Sequence, residues 1–267
     1  MGSCKKGISM ITEDNTNIYI CCHKSIYDNV LNLKSKAYKI LTPNDITVNN
    51  SELEVIKFTE QYDNRIYSEF SHLFHLAKRT DLKEYTGICH YRRYFNFKED
   101  FKQIENTNFV ITEPELSYNN ILSYIDYHNA EDIISFTKFY TLLYKNDETM
   151  KNIWLNYCNS NICYTNNMII IPTEEYKKLM NCVEYIITQY LNFIHLKTYD
   201  EWKEHVILNK EKYIKDYYPN NTITYNIRVP AYICERLISA IIYYYKTNVY
   251  KNYIEVSKII TEDKYNI

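Results

Sequence analysis

Glycine is nearly missing from this chain: there are three in 267 residues, and only Gly87 lies beyond position 7. That scarcity excludes glycine-rich phosphate loops. No G-x-x-x-x-G-K-[ST], G-x-G-x-x-G or G-x-S-x-G pattern occurs, which removes the commonest kinase, dehydrogenase and hydrolase readings. Long apolar runs are missing too. None approaches the ~20 residues of a membrane span, and no signal peptide opens the chain. There is no excess of positive charge. The formal net charge of −2 gives no global field for nucleic acid or an anionic membrane, so any anion site must be local. None of the eight cysteines shows a C-x-x-C spacing, and most sit in apolar runs. They read as reduced core thiols of a cytoplasmic protein.

What is present is an ordinary globular composition, 46% hydrophobic and 24% charged. Its 30 tyrosines accompany abundant Asn, Ile and Lys, residues with AT-rich codons. The bias is attributed to an AT-rich genome rather than to aromatic platforms. The start, Met1-Gly2-Ser3-Cys4-Lys5-Lys6, misses the Ser or Thr of a myristoylation signal at position 6. Residues 1–16 are read as a flexible leader and 17–267 as one domain.

Apolar runs predict buried strands at 17–22, 86–91, 108–112 and 164–171. Ile66, Phe70, Leu73, Phe74 and Ala77 recur at helical spacing and predict a helix over 66–79. Residues 118–158 read as mostly helical. Thr173-Glu174-Glu175 opens an amphipathic helix, and 232–246 forms another. Residues 42–64 and 197–221 read as loop-rich, with a strand at 223–227. Short strands alternating with helices give an α/β sheet.

Three constellations carry candidate chemistry. In Tyr85 to Phe95, Gly87 marks a strand interior where something approaches closely. His90, Arg92 and Arg93 then stand at the strand's carboxyl end, where open α/β sheets bind ligands. Two arginines there suit a diphosphate, or equally form a solvated pair bridging to acids. In Arg228 to Leu237, Glu235 falls off the apolar stripe of a helix start. It reads as a capping carboxylate paired with Arg228 or Arg236, or as a functional acid. Asp126, His128 and Asp132 group acids with a histidine, without zinc spacing. His72 and His75 share a helix face but lack a third ligand.

These segments resemble a bacterial and viral family of capsular or exopolysaccharide-synthesis glycosyltransferases, long catalogued as a domain of unknown function. The likeness runs over about 17–246. It rests on Ile18 to Lys24, Asn64, Tyr67-Ser68-Glu69-Phe70-Ser71, Gly87 to Phe95, Tyr124 with His128 and Asp132, Tyr164 to Met168, and Arg228 to Leu237. Ala231 replaces the usual glycine, Asn167 is an addition, and an acidic glycine-containing loop is shortened. The resemblance implies a GT-A-like single α/β domain, with a mainly parallel central sheet holding all four strands and flanked by helices. It implies transfer of a hexose from a nucleotide-diphosphate-sugar, a UDP-sugar, to a glycan or glycolipid acceptor. Residues 165–171 are also similar to the Asn-Ser-Gly-Val strand of glycogenin-like transferases.

Carried over residue by residue, the donor contacts are His23, Lys24, His90, Arg92, Arg93, Asn166, Arg228 and Arg236. Glu235 is the expected base, with His128 and Asp132 as rivals. GT-A enzymes hold a divalent metal on an Asp-x-Asp. This chain has none, and His90-Tyr91-Arg92 stands in its place. No metal ligand is assigned, and arginine charge is expected to replace metal charge. His90 with a carboxylate such as Asp132 is the one pairing open to Mn or Mg. Two other readings stand beside the enzyme: an inactive nucleotide- or glycan-binding module on the same fold, and a structural interaction protein that binds no nucleotide.

Overall fold

The computed structural model describes residues 10–23, 33, 35–48, 53–97, 101–214 and 222–260. Its first strand, β1 (Thr16–Cys21), shows how the sheet is built. All six residues are buried. Ile18 and Ile20 join one core and Tyr19 and Cys21 the other, so both faces are covered. Such a strand reads as a continuous apolar run, as in parallel sheets. It pairs in parallel with β2 (Tyr38–Pro43) and β4 (Tyr85–His90), and β2 pairs in parallel with β3 (Glu54–Phe58).

On the other side, β9 (Ile169–Pro172) runs antiparallel between β4 and β6 (Phe109–Thr112), and β10 (Tyr253–Val256) pairs in parallel with β6. The described order is β10-β6-β9-β4-β1-β2-β3. β4 also pairs with β5 (Arg93–Phe95), which in turn pairs with β11 (Lys258–Ile260). A separate small ribbon joins β7 (Glu115–Leu116) to β8 (Ile162–Cys163). The four predicted strands therefore share one mainly parallel sheet.

The helices supply the layers. The larger core packs residues of α2 (Phe70–Ala77), α4 (Ala130–Leu143), α5 (Glu148–Cys158), α6 (Thr173–Ile194) and α10 (Val229–Tyr244) against one face. α6 begins where predicted, with Glu174 and Glu175 in its first turn, where the helix dipole favours acids. Among the described residues, no helix is long and apolar enough to cross a membrane. The seven described cysteines are free thiols.

Several expectations are corrected. The ordered chain begins before residue 17: Ile11 is fully buried, its N–H donates to the Thr107 carbonyl at 2.8 Å, and Thr16 opens β1. The helix over 66–79 is two, α1 (Asn64–Tyr67) and α2, broken at Ser68 with φ of 51°. The strand at 164–171 starts only at Ile169, because Asn166 and Asn167 take left-handed conformations. Residues 197–214 are not loops but α7 (Tyr199–Leu208) and α8 (Lys210–Tyr213). Only Trp202 and Val206 of α7 are buried, a stripe too narrow to stand out among its charges. The segment read as a strand at 223–227 is α9 (Ile223–Asn226), capped by the Thr222 side chain. One more helix, α3 (Asn120–Tyr127), precedes α4.

The close approach expected at Gly87 is present. A Cβ there would lie 2.8 Å from Ile18 Cγ1 and 3.0 Å from Ile170 Cγ1. The close approach that requires glycine comes from the flanking strands.

Candidate active site

β4 ends at His90, and a Tyr91-Arg92 turn returns the chain as β5, placing His90 opposite Arg93. The Arg92 N–H donates to His90 Nδ1 at 3.2 Å. Nδ1 is therefore an acceptor, and the ring proton sits on Nε2. Burial, reinforced by the charges of Arg93, His23 and Arg92, pushes the pKa of His90 down to about 2, so the ring is neutral at physiological pH. His23 lies edge-on to Tyr91 at 4.8 Å and 6.1 Å from the His90 ring. The Arg92 guanidinium lies over Tyr91 at 5.1 Å. His23, His90, Arg92 and Arg93 thus gather at the carboxyl ends of β1 and β4. Lys24 lies outside the described residues.

Facing this group is Glu69. Its Oε2 is 4.0 Å from His90 Nε2, and its side chain is only 18% exposed. The left-handed Ser68 ends α1, and Glu69 leads directly into α2. Burial and then the charge of Glu235 raise the pKa of Glu69, opposed by Asn167 and Arg93. Glu69 and Glu235 are therefore close enough to feel each other.

The loop before β9 ties both carboxylates down. The backbone N–H of Asn166 donates to Glu235 Oε1 at 2.7 Å, and Asn167 Nδ2 donates to Glu69 Oε1 at 2.8 Å. Both asparagines are left-handed, with φ of 67° and 55°, and Asn is among the few residues that tolerate that region. Asn166 is thus brought to the site, but through its backbone and toward Glu235.

The remaining expected residues are placed differently. Arg236 Nη1 donates to Cys163 Sγ at 2.9 Å, which points the guanidinium at the β7–β8 ribbon. Arg228 caps α10 at its start, and its Nε is buried with no hydrogen-bond partner among the described residues. His128 is 4% exposed, with its ring stacked on Tyr232 at 4.2 Å and on Tyr225 at 5.5 Å. Stacking covers its faces and makes it a poor candidate for proton transfer. Asp132 accepts from the Tyr213 hydroxyl at 2.8 Å, and burial pushes its pKa up to about 7. It faces the helical layer, not His90, so the two do not form the metal pairing that the sequence left open.

No family model matches the chain, and neither does any curated protein. Among solved structures, it is similar to the apo structure of WbbM, a bifunctional glycosyltransferase, with a TM-score of 0.58 at 17% identity. The match covers 93% of this chain and 46% of that one, so the chain spans about half the length of its structural neighbour. The fold is that of a glycosyltransferase.

On this fold the end of β4 is where the resemblance expects a metal-binding acid pair. The residues present do not fit a divalent cation. Such ions want carboxylate oxygens. Here the chain offers a neutral histidine and two arginines, and Glu69 and Glu235 each spend one oxygen on the asparagine loop. Among the described residues, no group of three His, Cys, Asp or Glu converges to hold a metal. His72, weighed as a ligand, instead contacts the Cys22 carbonyl through Nε2 at 2.9 Å, and burial lowers its pKa to about 4.

Sequence reasoning gave Glu69 and Asn167 no role. Signals for both were there. Glu69 is a lone acid heading an otherwise apolar helix, and paired asparagines interrupt an apolar run at 166–167.

Proposed function

We propose that the protein transfers a hexose from a nucleotide-diphosphate-sugar, a UDP-sugar, to a glycan acceptor in cytoplasmic synthesis of a polysaccharide or surface glycan. One observation carries the reading. At the carboxyl ends of two parallel strands, on a glycosyltransferase fold, two arginines adjoin two carboxylates that consecutive asparagines hold. Arg92 and Arg93 take the diphosphate, whose charge grows as the bond to the sugar breaks. Glu235 takes the proton of the acceptor hydroxyl while its oxygen attacks the anomeric carbon. The bond from that carbon to the diphosphate oxygen breaks, and the nucleoside diphosphate leaves. The Asn166 N–H fixes the Glu235 carboxylate, and Glu69 completes the wall beside His90. Arginine charge stands in for a metal throughout.

The test is transfer and donor hydrolysis with a panel of UDP-, GDP- and dTDP-sugars. Glu235→Gln should lower the rate roughly 10²–10⁴-fold with donor affinity intact, the scale of a general base. A near-normal rate removes Glu235 from the role. Donor binding without turnover by the unmodified protein would leave a nucleotide-binding module, and no nucleotide binding at all would leave an interaction protein.

A further inference from the structure

Between α4, α6, α7 and α8 lies a cavity of about 210 Å³. Asn129, Asp132, Tyr190, Trp202, His205 and Tyr213 are among the residues that line it. Two of these carry buried polar atoms with no hydrogen-bond partner among the described residues, Asp132 Oδ2 and Trp202 Nε1. The residues are 7% and 1% exposed. Buried polar groups are almost always satisfied, so an orphaned acceptor and an orphaned donor lining one cavity ask for an occupant.

The neighbouring bonds are fixed. The Tyr213 hydroxyl gives its proton to Asp132 Oδ1 at 2.8 Å, so the 3.1 Å contact from His205 has Nε2 as donor. His205 Nδ1 is left as an acceptor. At the rim, Glu131 is paired with Lys212 at 2.9 Å.

The chemistry of the lining excludes most ligands. An anion meets the acceptor oxygens of Asp132, and its charge once the group ionises. An ammonium satisfies Asp132 but faces the Trp202 N–H with nothing to accept it. A hydrocarbon leaves both atoms bare. Water satisfies both, but the volume equals roughly seven waters at about 30 Å³ each. Most of those would lie against the rings of Tyr190 and Trp202 and the side chains of Ile194 and Leu196. A sugar ring has hydroxyls that both donate and accept, and C–H faces that lie on aromatic rings. The cavity is below the ~300 Å³ at which drug-sized pockets begin, room for one ring and not for an oligosaccharide.

We propose that this cavity binds a single neutral sugar residue, at a site separate from the side chains gathered at the end of β4. The inference does not depend on catalysis, since a module without transferase activity would bind the same ring. It gives the chain a second hold on a glycan.

The chain has two tryptophans, so Trp154→Phe leaves Trp202 as the sole reporter. That variant is titrated with D-glucose, D-galactose, D-mannose and N-acetyl-D-glucosamine, with glycerol as the control. At least one hexose should give a saturable change in emission that glycerol does not, and saturating UDP should not compete. Saturation-transfer NMR on the unmodified chain provides the same readout without the core substitution. Affinity should fall at least tenfold in Asp132→Ala. Asp132→Asn, compared at pH 8 where Asp132 is ionised, keeps the volume and the Tyr213 bond but turns the Oδ2 acceptor into a donor, and should weaken binding in the same way. Three outcomes overturn the proposal: no saturable signal by either method, which leaves ordered water only; unchanged affinity in both Asp132 variants, which puts the sugar elsewhere; or competition by UDP, which assigns the sugar to the donor cleft.

Discussion

Replacing Asp132 by Asn should change how stability depends on pH. Asp132 is 7% exposed, and burial lifts its pKa to about 7 from an ordinary 3.8. The sign follows from linkage. The folded state keeps a proton that the unfolded state releases, so the stability tied to Asp132 is complete below pH ~4 and is lost as pH rises toward about 7. At 1.36 kcal/mol per unit, the cost reaches about 2 kcal/mol at pH 5 and about 4 kcal/mol by pH 8. Asn cannot ionise and keeps the Tyr213 hydroxyl bonded. The variant's advantage over the unmodified chain should therefore grow by roughly 2–3 kcal/mol between pH 5 and pH 8. Urea unfolding at both pH values, without added sugar, measures this as a shift in midpoint at constant slope. Parallel pH profiles for the two proteins, or a variant less stable at pH 8, would refute the claim that Asp132 is held in a desolvated site.

Arg92→Ala and Arg93→Ala should each weaken UDP binding by roughly 1.5–3 kcal/mol, the scale of charge-assisted hydrogen bonds; unchanged affinity by calorimetry in both would remove the diphosphate from this hairpin. Transfer activity should survive EDTA, whereas loss that Mn²⁺ restores would show that the arginines do not carry the leaving-group charge. Gly87→Ala should cost roughly 1–3 kcal/mol by overpacking, since its Cβ would lie 2.8 Å from Ile18 Cγ1; a melting temperature equal to that of the unmodified chain would show that the strands yield at no cost.

The centre of the sheet is legible in the sequence because its strands are buried on both faces and read as unbroken apolar runs. β3 escapes the same reading because Glu54 and Lys57 are exposed, which leaves only Phe58 fully buried. The break between α1 and α2 escapes as well, since Ile66, Phe70, Leu73 and Phe74 all reach the same core and keep their spacing across Ser68. At the candidate site the His90-Arg92-Arg93 hairpin is visible from residue type and position. Which way Arg236 and Asp132 turn is not, because tertiary neighbours such as Cys163 and Tyr213 decide it and lie far off in the chain.

The asparagine loop is where sequence and site meet. A chain with three glycines must build its left-handed positions from other residues, at roughly 1–2 kcal/mol each. Among the described residues five non-glycine positions have positive φ, and Ser68, Asn166 and Asn167 are three of them. All three bear on the carboxylates: Ser68 immediately precedes Glu69, Asn167 holds Glu69, and Asn166 holds Glu235. Strain of this kind persists only where the surroundings over-determine it, and it concentrates at functional sites. The β9 ladder starts at Ile169, beyond both asparagines. The proposal that the chemistry lies at Glu235 and Glu69, and not at the stacked His128 or the enclosed Asp132, rests on this arrangement of two acids held by strained positions.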